Sequence, residues 1–343
     1  MSIEERKAAV LRAVVQDHIR TGQPVGSKTI ASRHGLGVSA ATIRNELAAL
    51  EEMGYLTQPH TSAGRVPTDL GYRFYVDALP DRVSLPPPLV EEIESFFGPP
   101  TAHVDELLHG TASLLSRVTG YAAVAVTPQV SGSRVLRTEL VPVGTSVMLL
   151  IVSDTGRVDK QMLEVGHEPG ERVVERASRM LSERLTGLSY GEAARRAAAL
   201  IREMADQERR LVREVAAAMR QLRDRTSGEI YLGGVANIAD QGNFDSPDAL
   251  REMVGALEEG SAVLEILQAA SGAIDDVTVR IGRENTLRAM AEASVVVAWY
   301  GSQARPVGAI AVVGPTRMEY PRAISSTRAV AGHLSDLLRG LAG

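Results

Sequence analysis

Thr42, Arg44 and Asn45, with the small Ala41 beside them, are residues whose types and spacing suit the reading of a DNA duplex. They fall between Ser39 and Met53, where Ile43, Leu47 and Leu50 recur at intervals of four and three and mark the buried stripe of a helix. Ala41, Thr42, Asn45 and Ala48 fall opposite that stripe, with Arg44 at its edge. An asparagine amide can make two hydrogen bonds to adenine and an arginine guanidinium two to guanine, and small neighbours let a helix approach base edges in the major groove. The same face also suits a solvated helix of a small helical subdomain, and these residues alone leave both readings open.

Other chemistries find little support. The chain has no cysteine, which removes disulfides, thiolate metal sites and cysteine nucleophiles together. His103, Glu106 and His109 share one helical segment, but the two histidines point about 240° apart around it, so a solvated face is expected and no metal. Ser153-Asp154-Thr155-Gly156 has the form of one half of a paired aspartyl site without its second half, and it suits a turn between strands. No Walker A loop or dinucleotide-binding glycine pattern is present. Gly233-Gly234 and the nearby Asn237, Asp240 and Asn243 read as a crossover segment. With no nucleophile and base in a recognisable pattern, the chain is expected not to be an enzyme and to need no cofactor.

The elements around Asn45 give the reading its shape. Residues 4 to 20 are amphipathic, with Ala8, Val10, Leu11, Val14, Val15 and Ile19 as core candidates. A short helix from about Ser27 to His34 follows, with Ser27 as its expected N-cap. Gly35-Leu36-Gly37-Val38 then forms the turn, and Ser39 caps the reading helix. Tyr55 to Thr57 reads as a strand, residues 58 to 67 as a hairpin tip, and Arg65-Val66 as the start of the returning strand. Three helices and a hairpin make a winged helix, with His60, Thr61, Ser62 and Arg65 as candidate contacts to phosphate or minor groove. Residues 68 to 79 form a further helix with Leu70, Tyr72, Phe74 and Tyr75 available for packing.

The 343 residues suffice for two or three domains, and the 44% hydrophobic content is that of a globular protein. The formal charge of -5 divides into +1 over residues 1–80 and -6 over the rest, which confines expected nucleic-acid contacts to the N-terminal region. No apolar run reaches membrane-spanning length and the N-terminus lacks a secretion signal, so a cytoplasmic location is expected.

Residues 81–100 are proline-rich and read as a stiff linker. A helix over 102 to 118 is followed by strand-like segments at 121–127, 134–143, 146–152 and 157–165, whose separators suit antiparallel hairpins. Residues 169–228 turn helical, as 171–185 and a long helix over 193–223. The apolar stripe of the long helix, from Ala197 to Leu222, fits a partner subunit and the chain's own core equally well. Residues 230–235 suit a strand or a crossover, 246–270 a helix, and 277–281, 294–300 and 307–313 strands before a final helix over 322–339. Strands on both sides of a helical block suggest an α+β domain with an insertion.

Taken together, TGQPVGSKTIA, the run Ser39 to Leu47, Leu50 to Leu56, His60 to Thr68 and Gly71-Tyr72-Arg73 resemble the HrcA heat-inducible transcription repressors of bacteria, as does the later GGVANI element. The resemblance implies an α+β multidomain protein: a winged helix-turn-helix over 1–80, a GAF-like antiparallel domain over 101–168 and 229–343, and an inserted helical dimerisation domain over 169–228. It also implies a homodimer that binds an inverted-repeat operator, represses chaperone operons and is assisted by the GroE chaperonin. By motif, Thr42, Arg44 and Asn45 fall on the recognition helix and His60, Ser62 and Arg65 on the wing. Arg44 and Asn45 are expected to dominate base readout, with Ala41 beside them and Ser27, Lys28 and Ser39 orienting the backbone. The competing expectation is a ligand-responsive winged-helix regulator with a small-molecule site in the GAF-like domain.

Overall fold

The amphipathic N-terminal stretch folds as α1 (Glu5–Thr21), which buries Val10, Leu11, Val14 and Val15. It stops at Gly22, which adopts a left-handed conformation and returns its amide to the His18 carbonyl. α2 (Ser27–Arg33) and α3 (Ala40–Glu52) follow, joined by a turn in which Gly35 and Gly37 take positive φ. β1 (Leu56–Thr57) and β2 (Val66–Pro67) pair antiparallel as the wing, and α4 (Asp69–Asp77) completes this reader. These coordinates are a computed structural model that describes residues 4–60, 63–80, 83–98, 104–126, 133–154, 158–165, 170–204, 206–224, 229–240, 247–270, 276–302 and 305–342.

α4 turns Tyr72 and Tyr75, three residues apart, into the core, which leaves Leu70 on the far side of the helix and 48% exposed. The expected packing of Leu70 is therefore corrected. The expected linker over 81–100 also differs. α5 (Pro87–Phe97) occupies most of it, because prolines at the first helical positions forfeit no hydrogen bond, and Ile93 is buried against the body.

α6 (Val104–Thr119) leads into β3 (Ala122–Val126), after which the chain leaves that sheet. β4 (Val135–Val143), β5 (Ser146–Ser153) and β6 (Val158–Glu164) form a separate antiparallel meander. α7 (Glu171–Leu185), α8 (Tyr190–Leu200) and α9 (Asp206–Asp224) pack with it, and Leu140, Val147, Leu149 and Ile151 share one core with Val174, Leu181, Leu211 and Val215. The insertion therefore includes these three strands and does not begin at 169. The expected first GAF-like segment, 101–168, is too long by the meander.

The helix expected over 193–223 is broken by a 3-10 turn at Ile201–Glu203 and an extended Met204. Folding back lets α8 and α9 bury Ala197, Leu200, Leu211, Val215 and Leu222 within one core. That stripe is consumed inside the chain and is not available to a partner.

β7 (Ile230–Gly233) returns the chain to the larger sheet. α10 (Val235–Asp240), α11 (Pro247–Glu258) and α12 (Gly260–Ala269) follow, the expected single helix over 246–270 being broken near Gly260, a poor helix former. β8 (Val277–Ile281), β9 (Ala293–Ser302), β10 (Arg305–Pro315) and α13 (Tyr320–Ala342) end the chain as described. The sheet order is β7-β3-β10-β9-β8 with every pair antiparallel, the antiparallel body the resemblance implies. Ala123, Ala125, Val296 and Ile310 face Leu108 and Leu115 of α6 and Leu334 of α13. Ala122, Val124, Val295 and Ala309 face Leu257 and Ile266 of α11 and α12.

Candidate nucleic-acid interface

Ser39 caps α3 by accepting from the Thr42 amide at 3.1 Å, and its hydroxyl lies 3.0 Å from that of Thr42. Ile43, Leu47 and Leu50 anchor the inner stripe. Ala41, Arg44, Asn45 and Ala48 are exposed, Thr42 is half-buried, and Lys28 is exposed on α2 nearby in sequence. The reading helix thus presents its predicted outer face to solvent.

Two acids hold that helix from its other sides. Glu46 is 5% exposed and binds Arg6 at 2.6 Å and Lys7 at 3.6 Å, both on α1. Glu51 binds Arg65 of the wing at 2.7 Å. Neither acid was singled out from the sequence, although Glu46 lies on the buried stripe, three residues after Ile43, and a carboxylate there demands a cationic partner.

The expected roles of Ser27 and Arg65 change accordingly. Ser27 is 8% exposed and is the first helical residue, with Gly26 at the cap position, so its hydroxyl is not the N-cap of α2. Arg65 exchanges backbone hydrogen bonds with Val25, both at 2.9 Å, and spends its guanidinium on Glu51. Gly64 permits that bridge, since a Cβ there would fall on the Val25 backbone. His60 is exposed at the wing, where its carbonyl accepts from the Ala63 amide at 2.8 Å; Thr61 and Ser62 lie outside the described residues.

Asp17, 2% exposed near the end of α1, joins the first two helices by contacting Arg20, Arg33 at 3.5 Å and His34 at 3.3 Å. Burial alone would raise its pKa, but the hydrogen bond from Arg20 and the close approach of the His34 ring outweigh it and hold the carboxyl below its ordinary 3.8. A similar balance holds Glu284 of the body below 4.5: burial opposes ionisation, while Arg73 of α4 and the Ile281 amide favour it.

Two of the residues considered for other chemistry have structural partners, while His103, Thr155, Gly156 and Asn243 lie outside the described residues. The Asp154 carboxylate accepts from the Arg134 amide at 2.8 Å, and Asn237 donates to Ser116 at 2.9 Å. Among the described residues no group of acids and histidines could hold a metal ion, and no helix is long and apolar enough to cross a membrane.

Residues 105–324 match the family model described as the HrcA protein C-terminal domain. Over nearly its whole length the chain is similar to heat-inducible transcription repressors HrcA. It is 39% identical to that of Moorella thermoacetica over 99% of both chains and 39% identical to that of Thermobifida fusca over 98% of both. The Symbiobacterium thermophilum repressor is 39% identical over 98% of this chain and 99% of its own. A crystal structure of a protein described only as hypothetical shares the fold, with a TM-score of 0.70 over 99% of both chains at 24% identity. With an exposed reading helix beside a wing, and this likeness extending through the body, the chain belongs to the HrcA family of heat-inducible transcription repressors.

Proposed function

We propose that this repressor reads an inverted-repeat operator ahead of chaperone genes with the outer face of α3, one reader of a homodimer on each half. The observation that carries this reading is the isolation of that face: Glu46 and Glu51 hold the helix from its other sides while Arg44 and Asn45 stay exposed. Arg44 and Asn45 supply base contacts, and Ala41 gives clearance. Lys28 and His60 supply contacts that position the backbone, as Ser62 would at the wing tip. Ser39 and Thr42 act mainly by fixing the first turn of α3. Ser27 and Arg65 act from within the reader, by packing and by holding the wing.

The inserted domain supplies the dimer contact. Its meander covers one face with helices, while the other carries Val143, Val158 and Met162, which are 43%, 46% and 48% exposed. The strand register sets Met148 beside Met162 and Val152 beside Val158 on that outer face. Two-fold pairing of such a face matches the symmetry of an inverted repeat. The GroE chaperonin assists the DNA-binding state, as the motif resemblance implies, and heat lowers the population of that state, in keeping with the heat-inducible repressors the chain is similar to.

The test is selection of genomic DNA by the purified protein, with and without chaperonin, followed by footprinting. An inverted repeat ahead of chaperone genes is expected. Recovery of unrelated sites without two-fold symmetry would overturn the reading. Asn45→Ala should weaken specific binding by about 1–3 kcal/mol and leave non-specific binding at the same salt nearly unchanged; equal losses in both would remove Asn45 from base readout.

A further inference from the structure

Arg73 lies on α4, outside both the reading face and the wing, yet it ties the reader to the body. Its Nε donates to Glu284 Oε1 at 2.8 Å, and an Nη binds the other carboxylate oxygen and donates to the Val279 carbonyl at 2.6 Å. Four residues earlier, Asp69 accepts from the Arg283 amide at 3.0 Å. Gly282 makes this seat possible, because a Cβ there would fall on the Asp69 carboxylate.

The receiving corner is stiff. Glu284 also accepts from the Ile281 amide at 2.9 Å, and Asn285 donates to the carbonyls of Gly282, Met290 and Ala293 at 2.8, 3.1 and 3.0 Å. On the reader side, the Thr68 hydroxyl that caps α4 also donates to the Gly54 carbonyl at 2.7 Å, just beyond the end of α3. A short series of directional contacts therefore runs from Glu284 to the reading helix.

The seam around this series is packed at its centre, where Tyr72 of α4 lies against Tyr320 of α13 with ring centroids 6.1 Å apart in one shared core, and is open to either side. A cleft of about 650 Å³ borders it beside Thr57, Leu70 and Glu292, and a second of about 260 Å³ beside Val76, Val277 and Ile324. Apolar packing at Tyr72 is non-directional and gives the reader a pivot, so the directional contacts of Arg73 and Asp69 at its edge share the task of fixing the angle. The docked reader leaves Arg44 and Asn45 exposed, so the seam does not cover these side chains.

We infer that Arg73 and Glu284 are positioning residues for operator recognition: their two-pronged pair sets the angle of the reader on the body and thereby the half-site spacing that the dimer accepts. This rests on the reading of the chain as a dimeric operator binder. A pair that served stability alone would change affinity or melting without changing spacing preference.

The experiment uses inverted repeats built from the selected site, with the spacer lengthened or shortened by single base pairs. Binding is compared for the wild type, Glu284→Gln and the double variant Arg73→Cys/Glu284→Cys, the last with and without a short thiol-to-thiol cross-linker. Because the chain has no cysteine of its own, the introduced pair is the sole target of the linker. The wild type is expected to favour one spacing. Glu284→Gln and the unlinked double variant should reduce that preference by about fivefold or more, and cross-linking should restore most of it. Affinity for an isolated half-site should stay constant throughout. An unchanged spacing profile in both cut variants, or a parallel loss of half-site affinity, overturns the assignment alone. Failure of the wild type to bind any half-site overturns the operator reading and this inference with it.

Discussion

At the scale of single residues, acids shape the reader as much as the polar side chains on the outer face of α3. Asp17 is buried and ionised, and its folded pKa lies below 3.8. Its contribution to stability is therefore fully present above pH 3.8 and is lost as the pH falls through the depressed folded value. Asp17→Asn should cost about 1–2 kcal/mol at neutral pH, a modest figure because Arg20 and Arg33 remain well solvated. Urea denaturation followed between pH 3 and 7 checks this: the gap from wild type should close toward the acid end, and a gap independent of pH would assign the loss to packing. The exposure of Arg44 and Asn45 was legible in the sequence because a helical stripe fixes which side faces out. Asp17 and Glu46 were not, since their partners come from other elements and no local spacing brings them together.

At the scale of elements, burial separates strands that hairpin-like separators had merged. β3, β9 and β10 are apolar at nearly every position because helices cover both faces of their sheet, whereas β5 alternates between buried and half-buried residues because helices cover one face. That contrast is not legible in YAAVAV and SVMLLIVS, both unbroken apolar runs; it shows only in the flanking strand β6, VDKQMLE, whose polar residues fit a sheet with one uncovered face. What stayed hidden was the length of α8, since a stripe of constant phase continues across the break at Met204. Gly71 tests the junction between elements. A Cβ there would meet the Tyr55 carbonyl oxygen, a backbone atom that cannot rotate aside, just after the reading helix. Gly71→Ala should destabilise the reader by about 1–3 kcal/mol and speed amide exchange in α4. Wild-type stability together with unchanged exchange would show that this close approach is dispensable.

At the scale of the whole molecule, two readers act on one operator only if something joins them, and the inner stripe of α8 and α9 is already spent within the chain. The outer face of the meander remains, with Met162 of the edge strand β6 in register with Met148 of the central β5. Met162 is half-exposed in the single chain, so Met162→Asp should leave the fold intact while placing a charge where a second copy would bury it. Sedimentation should then show a monomer, with circular dichroism unchanged. Operator affinity should fall by about 10²–10⁴-fold, because the second half-site is no longer bound at high effective concentration, while an isolated half-site is bound as before. A dimer that persists with full operator affinity would move the interface elsewhere on the molecule, and the Arg73–Glu284 contact would then set the reader's angle relative to a different two-fold axis.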